Sequence, residues 1–341
     1  MKMAVSIFFQ YLMLIVMISV LHLDTTDAQT GACYGFLGNN LPPAWEVIAL
    51  CKQHNILLVR IYNPNPQVLE ALKGSNVSVM VGVENENIIS IAHDPNLAKS
   101  WVQNNVLKYP NVNFRYIAVG NEIGPDGAGS GIAPYLAPAM QNVYNALTAA
   151  GLGQKVKVST ALSMDVLASS YPPSQGSFKA PSFINPIVAF LSKTQSPFLV
   201  NVYPYFAYIS DPANIRLDYA IFTSPGAVVK DGAYEYQNLF SAMVDAVHSA
   251  LEHAGAPNVE VVVSETGWPS AGGTATTIDN AESYNSNLLK MVKNGTPRKP
   301  GKPLETYIFD LIDENQKEPE TEKHWGIFLP DKQPKYPLSF N

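Results

Sequence analysis

The sequence predicts an α/β fold, a single (β/α)8 barrel, and three observations predict it. Eight short apolar runs alternate with helix-like segments along the chain. Two of those runs, the fourth and the seventh, each end in a glutamate followed by a turn. No phosphate-binding glycine loop follows the first run, where an open doubly wound sheet would usually carry one. The loop Gly127-Ala128-Gly129-Ser130-Gly131-Ile132 has Ile132 where the third glycine belongs and follows the fourth run, so it reads as a flexible loop.

In chain order, residues 32–36 read as strand one. Pro42-Pro43 opens a helix carrying Trp45, Val47, Ile48, Leu50 and Cys51. Residues 57–62 are strand two, and a short helix over 67–72 follows. Residues 77–83 are strand three. A helix over 97–108 carries Trp101, Val102, Val106 and Leu107 in helical rhythm. Strand four spans 114–123, and a helix over 134–150 stops at Gly151. Residues 155–162 alternate as strand five, with a helix over 183–191. Strand six spans 198–203. After an excursion over 204–232 comes a helix over 234–253. Strand seven is Val261-Val262-Val263-Ser264-Glu265, and a helix over 279–292 follows with Asp279 as its N-cap. Residues 305–312 are strand eight.

Val261, Val263 and Glu265 share one parity, as do Ala118, Gly120 and Glu122, so strict alternation places each set on one face of the sheet. With those faces inward, both glutamates stand at the rim of the barrel interior. The C-terminal ends of barrel strands are where such folds keep their catalytic groups.

Composition bounds the rest. The chain has 341 residues, 47% of them hydrophobic and 15% charged, which suits one large core. Residues 1–28 read as a signal peptide. Lys2 precedes an apolar run over 4–20, and Thr26-Asp27-Ala28 offers a cleavage site after Ala28. The mature chain, 29–341, is then one secreted catalytic domain without a membrane anchor, expected in the apoplast or cell wall rather than the vacuole. No lipid-anchor tail or carbohydrate-binding module is expected after the barrel. The net charge of -6 argues against nucleic acid or anionic membrane as a partner and fits a neutral polysaccharide. Cys33 and Cys51 are too few for a disulfide framework and read as buried free thiols, with one short bridge as the alternative.

The 6 histidines include no metal-binding spacing, and there is neither a GxSxG elbow nor a Walker loop. No metal and no cofactor are expected. What remains is carboxylates and aromatics at strand ends. Glycosidic bond cleavage needs one protonated acid for the leaving sugar and one ionised group as nucleophile or base. Tyr62, Tyr203, Tyr205, Trp268 and Phe309 follow or end strands, where rings can pack on sugar faces. Asn76 and Asn294 head two glycosylation sequons, the second weakened by Pro297.

Several motifs together resemble the plant endo-β-1,3-glucanases of glycoside hydrolase family seventeen. They are Cys33-Tyr34-Gly35 with Gly38-Asn39-Asn40-Leu41-Pro42, Arg60-Ile61-Tyr62, Tyr116 to Glu122, Asn201-Val202-Tyr203-Pro204-Tyr205-Phe206, and Ser264-Glu265-Thr266-Gly267-Trp268-Pro269. Asp313-Glu314-Asn315-Gln316-Lys317 and His324-Trp325-Gly326-Ile327-Phe328 extend the resemblance over essentially the whole mature chain. It implies a barrel that hydrolyses internal β-1,3 bonds with retention, for which the two carboxyl groups stand about 5–5.5 Å apart. It implies Glu265 as nucleophile and Glu122 as acid/base, Asn121 on the sugar 2-hydroxyl, and Tyr203 bonded to the nucleophile. Glu314, Lys317 and Glu322 would form a charged cluster beside the acid. Tyr62, Phe206, Phe309 and Phe328 would line the cleft. With its acidic balance the chain is similar to the secreted, pathogenesis-related members, and it is expected to act as a monomer.

Three stretches depart from the family pattern. Asp310 and Ile312 stand where Ala and Phe are usual, Glu84-Asn85-Glu86 replaces a typical Pro-Asn run, and Cys51 replaces a common Tyr. Two rival readings follow: a β-1,3-1,4-glucanase on the same fold, and a glucan-binding protein with a dormant site.

Overall fold

Eight parallel strands line the centre of the computed structural model, which describes residues 30–340. They are β1 (Thr30–Cys33), β2 (Leu58–Ile61), β3 (Ser78–Val83), β4 (Asn113–Asn121), β5 (Lys157–Ser163), β6 (Phe198–Asn201), β7 (Val261–Thr266) and β8 (Thr306–Ile308). They close into a barrel in the order β1-β8-β7-β6-β5-β4-β3-β2. Every residue of β2, β6, β7 and β8 is buried, as expected of strands covered on both faces. The expected signal peptide lies outside the described residues.

Helices wrap the outside because each presents one apolar face. Ala44–Gln53 buries Val47, Ile48, Leu50 and Cys51 against the barrel and leaves Trp45 in solvent. Several helices start on a side-chain cap. Asn65 accepts from the N–H groups of Gln67 and Val68, and Asn238 accepts from Ser241 N. Cys33 and Cys51 are both buried free thiols.

Local chemistry shifts several predicted elements. The helix expected over 97–108 starts earlier and is broken. Ile88–His93 ends at Asp94, which caps Pro95–Val102, and a wide turn over Gln103–Leu107 follows. Residues 234–236 do not open the sixth helix. Tyr234–Tyr236 pairs with Val229–Asp231 as a hairpin, and the helix begins at Leu239 behind its Asn238 cap. Thr277, not Asp279, caps Ile278–Met291, its side chain accepting from Asn280 N.

The more consequential correction concerns parity. In β7, Val263 pairs with Val200 but Glu265 pairs with Asn201, so one extra residue is inserted at Ser264. Parallel partners share a face, and Asn201 points inward to Arg60. Glu265 therefore points inward with Asn201, while Val261 and Val263 share the outward face of Phe198 and Val200. β4 carries a matching bulge. Ala118 pairs with Ser159 and Asn121 with Ala161, so three steps on β4 match two on β5. Gly120 absorbs the extra residue at φ 77°. Glu265 thus reaches the interior by way of a bulge and not by alternation from Val263, whereas Ala118, Gly120 and Glu122 all line the cleft as alternation places them, with Asn121 brought to the same side by the β4 bulge.

Candidate active site

A cleft of about 1100 Å³ opens at the C-terminal ends of the strands, and Glu122 and Glu265 both line it. The floor between them is a hydrogen-bonded chain. Arg60, at the centre of β2, is almost wholly buried. Its Nη1 lies 2.9 Å from Glu265 Oε1 and donates to Asn201 Oδ1 and to the Ser264 carbonyl, both at 3.0 Å. Its Nη2 donates to Asn121 Oδ1 at 2.7 Å. Asn201, at the end of β6, accepts from Arg60 and donates from Nδ2 to Glu122 Oε1 at 2.9 Å. The two glutamates are thus joined through Arg60 and Asn201.

Their environments differ. Glu265 is buried, one oxygen paired with Arg60 and the other accepting from Tyr203 Oη at 2.7 Å. Burial, reinforced by the charge of Glu265, holds the Tyr203 phenol well above its usual pKa, so it stays a donor. Burial works hardest against the Arg60 charge, but Glu265 together with the groups around it outweighs burial, and the guanidinium stays protonated. Glu122 opens to the water of the cleft, yet protein crowds it on the other sides. That burial, and next the charge of Glu265, raises its pKa; Asn201 and Arg60 oppose the rise and Asp165 adds to it. A carboxyl with a raised pKa beside one held against a cation is the division that acid and nucleophile roles require.

Glu314, Lys317 and Glu322 also line the cleft. Lys317 Nζ lies 2.8 Å from Glu314 Oε1, 3.7 Å from Asp310 Oδ2 and 4.2 Å from the Phe309 ring centroid. The backbone N–H of Leu37 donates to Glu314 Oε2. This group follows β8, next to the strand of Glu265. Glu265 and Glu314 both help to raise the pKa of Glu322, after burial and against Lys317. Asp310 is buried behind the cleft, and burial holds its carboxyl well above the usual range.

Of the expected sugar-binding residues, Tyr62, Asn121, Phe206 and Phe309 line the cleft. Phe206 is 44% exposed, with its ring 5.3, 5.4 and 5.7 Å from those of Tyr203, Tyr205 and Trp325. Tyr205, Trp268 and Phe328 do not line it. Trp268 is 0% exposed, its Nε1 donating to the Ala275 carbonyl, with its ring 5.1 Å from that of Tyr205. Phe328 is buried against His54. Tyr205 and Trp268 follow strands, and Phe328 comes after the turn over Glu320–His324, but all three are buried in the packing and not on the cleft wall. The sequon residues Asn76 and Asn294 are both exposed on the surface.

A family model described as glycosyl hydrolases family 17 matches residues 30–340. The chain belongs to glycosyl hydrolase family 17. This family 17 chain is 54% identical over 322 residues to a glucan endo-1,3-beta-glucosidase of Vitis vinifera, covering 93% of each. It is 53% identical over 322 residues to a basic vacuolar glucan endo-1,3-beta-glucosidase isoform of Nicotiana tabacum, covering 93% of this chain and 87% of that one. Among solved structures it superposes on a beta-1,3-glucanase and allergen of Cryptomeria japonica pollen with a TM-score of 0.89. That pair is 47% identical, over 92% of this chain and 99% of the other.

The family 17 cleft also contains residues to which the sequence reading gave no role. Arg60 and Asn201 connect the glutamates, Trp325 lines the cleft edge-on to Tyr203 at 5.3 Å, and Asp165 acts on Glu122. The available signal was a charged or amide residue inside an otherwise apolar strand. Arg60 in Leu-Val-Arg-Ile and Asn201 in Phe-Leu-Val-Asn both fit it.

Proposed function

We propose that the chain is a secreted endo-β-1,3-glucanase that cleaves internal bonds of fungal wall glucan or callose with retention, in defence or wall remodelling. The observation that carries this reading is the contrast across one cleft: Glu122 with a raised pKa, Glu265 buried against Arg60 and Tyr203. Glu122 donates its proton to the glycosidic oxygen as the bond to C1 breaks. Glu265 attacks C1 from the opposite face and forms a glycosyl ester. The aglycone leaves as an alcohol. Glu122, now a carboxylate, takes a proton from water, which attacks C1 and releases Glu265.

Asn121 serves the sugar. Its Oδ1 is engaged by Arg60 and by Asn201, at 2.7 and 3.3 Å, which commits its NH2 to the 2-hydroxyl. Tyr62, Phe206 and Phe309 offer rings to the glucose faces, and Glu314, Lys317 and Glu322 fix the polar wall. The protein works as a monomer and needs no cofactor.

Reducing-sugar release from laminarin tests the reading, beside Glu122→Gln and Glu265→Gln. Cleavage by the wild type and loss of nearly all activity in both variants supports it. Preference for mixed-linkage glucan would make the chain a β-1,3-1,4-glucanase. Binding without turnover would make it a glucan-binding protein.

A further inference from the structure

β3 and β4 run paired up to Val83 and Val119. Beyond that point β3 gives way to a turn over Asn85–Asn87, while β4 continues to Asn121. The N–H and C=O of Asn121 therefore face an edge where the neighbouring strand has ended. The side-chain amide of Asn85 takes the strand's place. Its Oδ1 accepts from Asn121 N at 2.8 Å, and its Nδ2 donates to Asn121 O at 2.9 Å. One amide thus makes both bonds that a strand backbone would have made.

What this clamp holds is an unusual backbone. Asn121 sits between two left-handed residues, Gly120 at φ 77° and Glu122 at φ 53°. Glycine takes that conformation freely, whereas glutamate seldom does, so Glu122 needs its surroundings to keep it there. From the β5 side, the N–H of Glu122 donates to the Ala161 carbonyl at 2.8 Å. From the β3 side the hold is Asn85. The packing at the bulge is close as well: a Cβ built on Gly120 would lie 3.4 Å from Asn85 Oδ1.

We propose that Asn85 is a positioning residue for the acid/base Glu122, its amide fixing the bulge that aims the carboxyl at the glycosidic oxygen. The proposal rests on the acid/base reading of Glu122 above. It does not give Asn85 contact with the reacting atoms.

The test compares two substrates. Laminarin has a poor leaving group and needs the proton of Glu122. A 2,4-dinitrophenyl β-laminaribioside has a leaving group that departs with little help from an acid. Asn85→Ala is expected to lower kcat on laminarin about 10- to 100-fold with KM nearly unchanged, the scale of a misplaced general acid. Its pre-steady-state burst of dinitrophenolate should stay within about threefold of wild type, since that step needs Glu265 and not the acid. Equal losses on both substrates, or wild-type turnover of laminarin, would overturn the proposal. If Asn85→Ala does not fold, Asn85→Asp keeps the acceptor for Asn121 N and removes the donor, with the same pattern expected and the same outcomes decisive. Glu122→Gln runs in parallel. Should it retain laminarin turnover, the acid assignment has failed and not the clamp.

Discussion

Arg60 and Glu265 form a 2.9 Å ion pair at the floor of the cleft, with both side chains almost wholly shielded from water. The guanidinium serves Asn121, Asn201 and the Ser264 carbonyl at the same time. A lysine could not fork in this way. Removing the cation leaves a buried carboxylate without its partner, so Arg60→Met should cost about 3–5 kcal/mol of stability. Arg60→Lys should fold yet lose roughly 100-fold in kcat through misplacement of the two carboxylates and Asn121. Denaturant melts and laminarin kinetics check the two outcomes.

The alkaline limb of the pH profile should belong to Glu122. Its pKa is raised by burial and Glu265, and the acid works only when protonated, so activity falls as pH rises through that value. Asp165 is exposed in the cleft and contributes to the rise. Asp165→Asn should therefore move the alkaline limb to lower pH. High salt should shrink the difference between the two proteins, because an exposed charge is screened. Profiles of kcat/KM at two ionic strengths read both effects.

Stability should carry a signature of Asp245. This residue lies on the buried face of the helix Leu239–His253 and is fully buried, its Oδ2 accepting from Arg298 N at 3.0 Å. Burial pushes its carboxyl from 3.8 up to about 6. A pKa raised by folding adds stability that is complete below about pH 4 and lost as pH rises through about 6. The loss amounts to about 3 kcal/mol by neutral pH. Asp245→Asn has no proton to lose. The Tm of wild type should thus fall relative to that of the variant between pH 4 and 7, and a constant offset would contradict the assignment.

Trp268 and Phe206 should behave in opposite ways. Trp268 is enclosed, so Trp268→Ala should cost about 3–5 kcal/mol of stability. Phe206 lines the cleft and is 44% exposed, so Phe206→Ala should cost much less stability than Trp268→Ala and raise KM about three- to tenfold. Thermal melts and steady-state kinetics on both variants separate the two roles.

The contrast between these rings marks how far the sequence could be read. The eight strand runs and the two glutamates closing the fourth and seventh were legible, because buried parallel strands are written as apolar runs. The side shared by Ala118, Gly120 and Glu122 was legible too, but the route by which Glu265 faces inward was not. It depends on the extra residue at Ser264, and register between strands distant in sequence is not written in either one. Trp268 follows its strand as a cleft residue would, but its indole turns under the loop to Ala275, a choice set by tertiary packing. Asn85 looked like part of a departure from the usual loop sequence, and its use appears only once β4 outruns β3 beside it.

The central claim is that Glu265 forms a covalent glycosyl ester while Glu122 handles the proton. Mass spectrometry of the Glu122→Gln protein after exposure to 2,4-dinitrophenyl β-laminaribioside tests it most directly. Without a base to activate water, the ester should accumulate, and peptide mapping should place the sugar on Glu265. An adduct on another residue, or no adduct together with inverted anomers from wild-type cleavage of laminarin, would contradict the mechanism.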